Sequence, residues 1–285
     1  RRRRSSESGA SGRMGNSGSV AKSAPRNAPE QYSKYPGEGT HWHTDKKAVL
    51  KVRYAESGVA AREEDGGAPS GTLVRALKNA VERRGDMPAL AVERPTPDFD
   101  GKSAPESLPR DQWMTWTYRE YYNDVRRAAK GFIELGAVRY DGISVLGFNA
   151  PEWHMSILSA MHMGAIVAGI YGTDTAEQVA YKAGLTDSSI AVVDNKDAFD
   201  RFAQTKDDIP YLKAIVCWEY TEGKDLTRSD GSVIKVLTWK QLLEIGDEGD
   251  DDKLDELYDS VQPGSVGGFI FTSGTTGNPK AVMLS

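Results

Sequence analysis

The sequence predicts an α/β protein whose sheet is mostly parallel. Short apolar segments alternate with helical patterns of about 10 to 15 residues, which is typical of βαβ units. Two of these segments, 165–170 and 190–193, contain no polar side chain, as expected for central strands that helices cover on both faces. Several helical patterns also begin at paired capping residues, which mark where the helices start.

The composition is that of an ordinary globular protein and excludes several functional classes. The chain has 285 residues, enough for one large domain or two small ones. It has 36 basic and 41 acidic residues, and its net charge of −5 argues against a nucleic-acid partner, which needs a basic surface. The single cysteine, Cys217, excludes a disulfide framework and a zinc site built on several thiolates, and it favours a reducing compartment.

The first 70 residues are predicted to lie outside the regular α/β pattern. Residues 1–40 are rich in Ser, Gly, Arg and Pro and contain too few apolar residues to form a core, so we expect a disordered tail. The four arginines at its start are typical either of a solvated tail or of a targeting or membrane contact. Residues 41–70 are predicted to be an extended lead-in. Its pair His41 and His43 has no third metal ligand nearby, so no metal site is expected there.

Regular structure is expected from residue 71, with a first helix that ends at Gly85. Thr117 and Glu120 have capping-box spacing and open a second helix, which ends at Gly136. The remaining predicted elements are strands at 89–92, 143–148, 165–171, 189–193 and 214–218, and helices over 151–163, over 198–203 and behind the capping pairs Thr175/Gln178 and Thr238/Gln241.

The segment after the predicted strand 143–148 contains a capping residue, two histidines and a long uncharged stretch. Asn149 is predicted to cap the helix that starts with Pro151. Residues 153–173 carry no formal charge and could span a membrane, but they divide into an amphipathic helix and a strand, so we do not expect a transmembrane helix. His154 and His162 have no acid or nucleophile nearby in the sequence, and we expect them at the edge of the core rather than in catalysis.

An acidic run, DEGDDD, occupies residues 247–252. It lacks the alternating ligand spacing of a calcium-binding EF-hand loop. We therefore predict a solvated loop at this position.

The segment 268–284 has the pattern of a phosphate-binding loop. An apolar strand runs into a loop of small hydroxylated residues and glycines, and an apolar strand resumes at 282–284. Gly274 and Gly277 let the backbone turn and approach a ligand closely, so that several N–H groups can point at one anion. Lys280 supplies a mobile positive charge, and further donors come from the hydroxyl groups of Thr272, Ser273, Thr275 and Thr276.

A plain hairpin loop is the alternative, because Gly, Thr and Asn are common in turns. Four hydroxyls, two glycines and a closing Pro-Lys pair between two apolar strands favour the phosphate site. The spacing Gly274-x-x-Gly277-x-x-Lys280, with Ala281 after the lysine, does not fit the Walker pattern, so a P-loop kinase or GTPase is disfavoured.

The string FTSGTTGNPKA over 271–281 resembles the signature phosphate loop of the adenylate-forming superfamily, which includes acyl-CoA synthetases, luciferases and nonribosomal peptide adenylation domains. A second set of segments, GFNAPEW over 147–153, GIYGTD over 169–174 and VVDN over 192–195, is similar to the bubblegum-type long-chain acyl-CoA synthetases. The resemblance covers roughly residues 70–285.

This resemblance implies that residues 71–285 form the N-terminal portion of an AMP-binding domain in a long-chain fatty acid–CoA ligase. Such an enzyme takes ATP with Mg²⁺, a long-chain fatty acid and CoA. It implies a cytoplasmic location, with peripheral contact to an intracellular membrane left open. Lys280 would be the catalytic charge, and the residues implied to hold the β- and γ-phosphates are Thr272, Ser273, Gly274, Thr275, Thr276, Gly277, Asn278, Pro279 and Lys280.

The chain departs from the family pattern in two respects. The family usually has Gly where this chain has Ala281; if the backbone there had a positive φ, the added Cβ would cost about 1 kcal/mol. The resemblance implies that the family's acidic Mg²⁺-binding motif, ribose-binding Asp, acyl pocket and C-terminal catalytic lysine lie beyond Ser285, so none of them, and no metal ligand, is assigned in this chain. We expect this chain to be part of a longer protein and to make no acyl-CoA by itself.

Two other functions remain open. The chain could belong to an adenylate-forming enzyme that loads an amino acid or a carrier protein, or it could be a nucleotide-binding fragment without catalysis. The phosphate loop does not distinguish these functions, whereas the segment around Trp153 favours the fatty-acid branch.

Overall fold

A mostly parallel, eight-stranded sheet organises the chain, which confirms the predicted fold class. The computed structural model describes residues 45–50, 61–68, 70–94, 106–220, 223–274 and 277–285. The predicted tail over 1–40 and the pair His41 and His43 lie outside the described residues. The described residues belong to one unit, His41–Ser285.

Seven helices and ten strands are found in the described part of the chain. The helices are α1 (Leu73–Arg84), α2 (Tyr118–Glu134), α3 (Pro151–His162), α4 (Ala176–Leu185), α5 (Lys196–Gln204), α6 (Trp239–Asp247) and α7 (Asp251–Ser260). The strands are β1 (Pro88–Val92), β2 (Met114–Thr117), β3 (Gly142–Leu146), β4 (Ile166–Gly169), β5 (Ser188–Val193), β6 (Ala214–Cys217), β7 (Leu226–Thr227), β8 (Val233–Thr238), β9 (Gly268–Gly274) and β10 (Gly277–Leu284).

The sheet has the strand order β10-β9-β4-β3-β5-β6-β8-β7. The pairs from β9 to β8 are parallel, while β10 pairs with β9 and β7 pairs with β8 in antiparallel fashion. β1 and β2 form a separate antiparallel ribbon. β10 is therefore an edge strand of the described sheet, and only β9 pairs with it.

The predicted capping boxes all start helices. Thr117, Thr175 and Thr238 each accept a hydrogen bond from the backbone three residues later, and the Glu or Gln at that position bonds back to the cap. These reciprocal bonds satisfy N–H groups that a helix cannot satisfy internally. The local pattern was therefore sufficient to place the first residues of α2, α4 and α6.

The prediction that Asn149 caps α3 is wrong. The N-cap residue is Ala150, which makes no side-chain capping bond, and Pro151 occupies the first turn. The Asn149 Oδ1 atom lies 2.9 Å from His154 Nε2 instead. β3 also ends at Leu146, two residues before the predicted end, and the chain crosses from the sheet to α3 over residues 147–150.

The acidic side chains over 247–252 are exposed to solvent, as predicted, but only residues 248–250 form a loop, because Asp247 ends α6 and Asp251 begins α7. Asp250 caps α7 by accepting bonds from the backbone of residues 252 and 253, and Asp251 begins that helix. Arg127 on α2 bonds Asp247 with both Nε and Nη2 at 2.6 Å, and Arg126 bonds Asp251 at 2.7 Å. These acidic residues thus join α6 and α7 to α2 through partners that are distant in the sequence.

Two hydrophobic layers cover the two faces of the sheet. On one face, α1, α2, α3, α6 and α7 pack against inward side chains such as Ile143, Val145 and Val192. On the other face, α4 and α5 pack against the alternate positions, which include Leu146 and Val193. In the described ranges no helix combines the length and apolarity needed to cross a membrane, and the uncharged segment 153–173 divides between α3 and β4.

Candidate phosphate-binding site

The proposed phosphate loop is a β-hairpin at one edge of the sheet. β9 runs parallel to β4, turns, and returns as β10, with Gly274 paired to Gly277 across the turn. The strand–turn–strand prediction is confirmed, although the second strand begins at Gly277 rather than 282. Thr275 and Thr276, between the two glycines in the sequence, lie outside the described residues.

Alternation along the hairpin separates a core face from an open face. Phe269 and Phe271 are buried in the hydrophobic layer that contains α4 and α5, while Thr272 is exposed. Thr272 is paired in register with Lys280 on the returning strand, and Lys280 is also exposed. Because cross-strand partners share a face, the Thr272 hydroxyl and the Lys280 ammonium project from the same side of the hairpin.

Lys280 is electrostatically available on that open face. Its ammonium forms no ion pair with a carboxylate of the described residues. Asn278 is exposed and Pro279 is half-buried, so both stay close to the surface beside the turn. A polyphosphate approaching this side would meet a hydroxyl donor and a mobile cation together.

Ala281 introduces no backbone strain. It lies within β10 and pairs with Phe271, and the non-glycine residues with positive φ in the described ranges are Tyr140 and Asp187. The backbone at Ala281 therefore does not have the positive φ at which a Cβ would be costly. A methyl side chain fits this extended position, where it packs against the core.

Side chains from the β4–α4 connection and from α4 hold the base of the hairpin. The Tyr171 hydroxyl donates to the Phe271 carbonyl at 3.4 Å, and the Tyr181 hydroxyl donates to the Pro279 carbonyl at 3.2 Å. Lys182 forms a buried ion pair with Asp174 at 2.5 Å. Sequence reasoning did not find the two tyrosine contacts, because the bonded carbonyls lie about a hundred positions away along the chain.

A largely apolar cavity of about 1100 Å³ opens beside the hairpin. Its volume is at the upper end of the range found for ligand pockets. The side chains of Trp153, Ile157 and Met161 on α3 form part of its wall, and β4 contributes Val167. Residues 269–271 of β9 also line it, so the cavity and the hairpin share one strand.

A cluster of charged side chains, Arg94, Glu152, Asp194 and Glu219, lies near the carboxyl ends of the central strands. Arg94 donates two hydrogen bonds to the buried carboxylate of Glu152, at 2.5 and 2.6 Å, and this pairing raises the pKa of Arg94. Burial raises the pKa of Glu219, while the nearby Arg94 opposes that shift. Asp194 accepts a bond from the Phe148 backbone at 3.0 Å, so this group holds the strand–helix connections.

The two histidines have structural surroundings. His162 is fully buried at the end of α3, and burial lowers its pKa to about 3. His154 is partly exposed and contacts Asn149. Neither histidine lines the cavity, in agreement with their predicted place at or near the core.

The described residues provide no ready site for Mg²⁺. Within the described ranges, no group of three His, Cys, Asp or Glu side chains is close enough to hold a metal ion. The thiol of Cys217 is buried in β6, and burial raises its pKa to about 12, so it is protonated at neutral pH. Mg²⁺ therefore stays a prediction from the resemblance, and no step below depends on it.

Comparison with known sequences gives a family and several relatives for this chain. The AMP-binding enzyme family matches residues 77–285. A long-chain-fatty-acid–CoA ligase, ACSBG2 of Xenopus laevis, is 34% identical over 244 residues, which cover 86% of this chain and 29% of the relative. ACSBG1 of Homo sapiens is 33% identical over 75% of this chain and 26% of the relative. The chain thus spans less than a third of the length of these curated relatives.

Solved structures share the fold at low sequence identity. The A-PCP didomain of a carboxylic acid reductase from Segniliparus rugosus, solved with AMP, aligns with a TM-score of 0.57 at 17% identity, covering 76% of this chain and 32% of that one. A long-chain-fatty-acid-CoA ligase from Archaeoglobus fulgidus aligns with a TM-score of 0.53 at 17% identity, covering 76% and 37% of the two chains. At this identity the likeness supports the fold alone.

Proposed function

This chain belongs to the AMP-binding enzyme family, and from that premise we propose that the whole protein is an ATP-dependent long-chain fatty acid–CoA ligase. The observation that carries the proposal is the β9–β10 hairpin, where Thr272 and Lys280 are register partners beside a turn bounded by two glycines. The curated relatives that match most of this chain are named as long-chain-fatty-acid–CoA ligases, which supports the choice of substrate class.

The proposed reaction has two balanced steps. A carboxylate oxygen of the fatty acid attacks the α-phosphorus of ATP, and the bond to the β-phosphate breaks, which yields acyl-adenylate and pyrophosphate. The sulfur of CoA then attacks the acyl carbonyl carbon, AMP leaves, and the thiol proton is released. Positioning and charge stabilisation supply most of the acceleration in such phosphate chemistry.

The hairpin residues would act on the departing pyrophosphate. We assign Lys280 to neutralise charge on the β- and γ-phosphates, since its ammonium has no carboxylate partner in the described part of the chain. The Thr272 hydroxyl lies opposite it and would donate to the same anion. For residues 273–279 the proposed contacts with the β- and γ-phosphates rest on the resemblance of this segment to the phosphate loop of adenylate-forming enzymes.

The apolar cavity supports the fatty-acid branch of the proposal. It begins at β9 and extends between β4 and α3, where Trp153 and Met161 offer apolar surface. An acyl chain in this cavity would have its carboxylate end near the hairpin, where the phosphates are proposed to bind. Peripheral membrane contact and a cytoplasmic location stay predictions.

The proposal is tested by measuring pyrophosphate release from the whole protein with ATP, palmitate and CoA. We expect release that depends on palmitate and a palmitoyl-CoA product; release that is independent of any fatty acid would contradict the proposal. A screen of amino acids and carrier proteins as acceptors, in the same assay, identifies the other adenylate-forming functions.

Substitution of Lys280 tests the role of the hairpin directly. We expect Lys280→Ala to lower the adenylation rate about 100-fold, as for removal of one preorganised charge-stabilising group, with little change in fatty-acid affinity. Lys240→Ala is the matched control, because Lys240 is an exposed lysine on α6 whose only ion pair in the described residues is with Glu244. Equal activity of the two variants would remove Lys280 from the mechanism.

A further inference from the structure

We propose that Tyr171 and Tyr181 are positioning residues that set the hairpin in place for phosphate binding; this inference rests on the proposed function. Each hydroxyl bonds a backbone carbonyl of one hairpin strand. Tyr171 bonds the carbonyl of Phe271, and Tyr181 bonds the carbonyl of Pro279. The tyrosines therefore hold both strands, and they do so from the β4–α4 side of the fold.

The two bonded carbonyls occupy equivalent places beside the proposed ligands. Phe271 immediately precedes Thr272, and Pro279 immediately precedes Lys280, and these last two residues are register partners. The peptide that carries each carbonyl ends at the nitrogen of the next residue. Fixing the two peptides therefore fixes the Cα positions from which the Thr272 hydroxyl and the Lys280 side chain project.

The backbone of β10 is irregular where Tyr181 bonds it. β10 pairs only with β9 in the described sheet, and its register shifts between Gly277 and Lys280. An irregular edge strand has fewer backbone hydrogen bonds to hold it than a central strand. The Tyr181 bond to Pro279 falls within that irregular stretch and supplies a restraint from α4.

A buried ion pair fixes Tyr171 and the base of the hairpin. Lys182 lies 4.6 Å from the ring centre of Tyr171 and 5.1 Å from that of Phe271, within the range of cation–π contacts. Asp174 holds Lys182 at 2.5 Å and also accepts a bond from the Tyr171 backbone at 2.9 Å. The side chains of Lys182 and Asp174 are only 3% and 9% exposed.

The surrounding loop is held as well. Arg201 on α5 donates to the carbonyls of Gly172 and Asp174, at 2.7 and 3.0 Å. The turn between β4 and α4 is therefore anchored on its far side. Movement of the Tyr171 ring away from Phe271 would also break its contact with Lys182.

The experiment uses Tyr171→Phe and Tyr181→Phe in the whole protein, since each removes one hydroxyl and keeps the ring. We expect each variant to raise KM for ATP, and for pyrophosphate in the reverse exchange, about 10-fold. KM for palmitate should be unchanged in Tyr181→Phe, because Tyr181 does not line the cavity proposed for the acyl chain. Tyr211→Phe is the matched control, because Tyr211 is 55% exposed and contributes to neither the cavity nor the hairpin contacts.

A double-mutant cycle distinguishes positioning from a general structural role. If Tyr181 acts through Lys280, Tyr181→Phe has little further effect in a Lys280→Ala background. The same fold-loss in both backgrounds, or an unchanged KM for ATP in the single variants, overturns the inference.

Binding of a nonhydrolysable ATP analogue, measured by calorimetry, separates this inference from the proposed function. Weaker analogue binding in the tyrosine variants supports positioning even if the whole protein forms no acyl-CoA, in which case only the proposed function fails. Equal analogue binding by the tyrosine variants and the unmodified protein overturns the positioning role.

Discussion

Replacing His162 should remove a specific part of the protein's acid sensitivity. The ring is fully buried between Tyr122 and Tyr258, with ring centres 5.9 and 4.9 Å away, and neither ring nitrogen has a hydrogen-bond partner among the described residues. Burial lowers the pKa from 6.5 to about 3, and nearby Arg126 adds to that shift. Lys78 lowers the pKa further, while the carboxylate of Asp255 opposes the shift.

The sign of the effect follows from which state binds the proton. Below pH 6.5 the unfolded chain protonates this histidine, whereas the folded protein keeps it neutral until about pH 3. The free energy of unfolding therefore decreases, through this histidine, as the pH falls from 6.5 towards 3. One pH unit corresponds to about 1.4 kcal/mol, so the loss at pH 5 is about 2 kcal/mol.

The measurement is urea unfolding of the protein and of His162→Phe at several values between pH 7 and pH 5. The variant keeps an aromatic ring and cannot bind the proton. Between pH 7 and pH 5 the unmodified protein should therefore lose about 2 kcal/mol more of its free energy of unfolding than the variant loses. Tyr258→Phe changes a neighbouring ring, retains His162 and should keep the original pH slope. Parallel curves for the unmodified protein and His162→Phe would refute the argument.

Two further predictions concern packing and the buried ion pair. A Cβ at Gly246 on α6 would lie 1.8 Å from the Arg127 carbonyl oxygen on α2, so we expect Gly246→Ala to lower the free energy of unfolding by about 2 kcal/mol in urea. Gly184 lies within α4, and the nearest contact of a Cβ there would be the Asp208 carbonyl oxygen at 3.8 Å, so Gly184→Ala should instead raise the free energy of unfolding by up to about 1 kcal/mol. Lys182→Met leaves Asp174 buried without its cation and should cost about 3 to 5 kcal/mol, and adding Asp174→Asn should restore part of that loss in the same measurement. Equal effects of the two glycine variants, or a Lys182→Met variant as stable as the unmodified protein, would contradict these two predictions.

Local patterns predicted the features that depend on neighbouring residues. The three threonine caps, the alternation of strands and helices, and the strand–turn–strand motif at 268–284 all appear in the structure. Each involves residues within a few positions of one another, so the interaction that produces it can be read from spacing. The Asn149 cap failed because that side chain contacts His154 instead.

Distant pairings could not be predicted in the same way. The ion pairs of the acidic residues in 247–252 were not predicted because their partners, Arg126 and Arg127, are more than a hundred positions earlier in the chain. β7 and α7 were also missed, since β7 has only two residues and α7 is strongly charged, and such segments carry little apolar periodicity. The strands β2 and β8 were missed as well. Their structure depends on packing against elements that only the folded chain brings together.

By itself, the sequence determined the fold class, the starts of α2, α4 and α6 and the glycine- and hydroxyl-rich segment, because backbone geometry and capping are local. Only the tertiary structure decided that Thr272 and Lys280 face the same side, that Ala281 is unstrained, and that tyrosines from the β4–α4 connection and from α4 support the hairpin. The physical reason is that register, burial and the hydrogen bonds of Tyr171 and Tyr181 join residues that are far apart in the chain, and folding alone sets those distances.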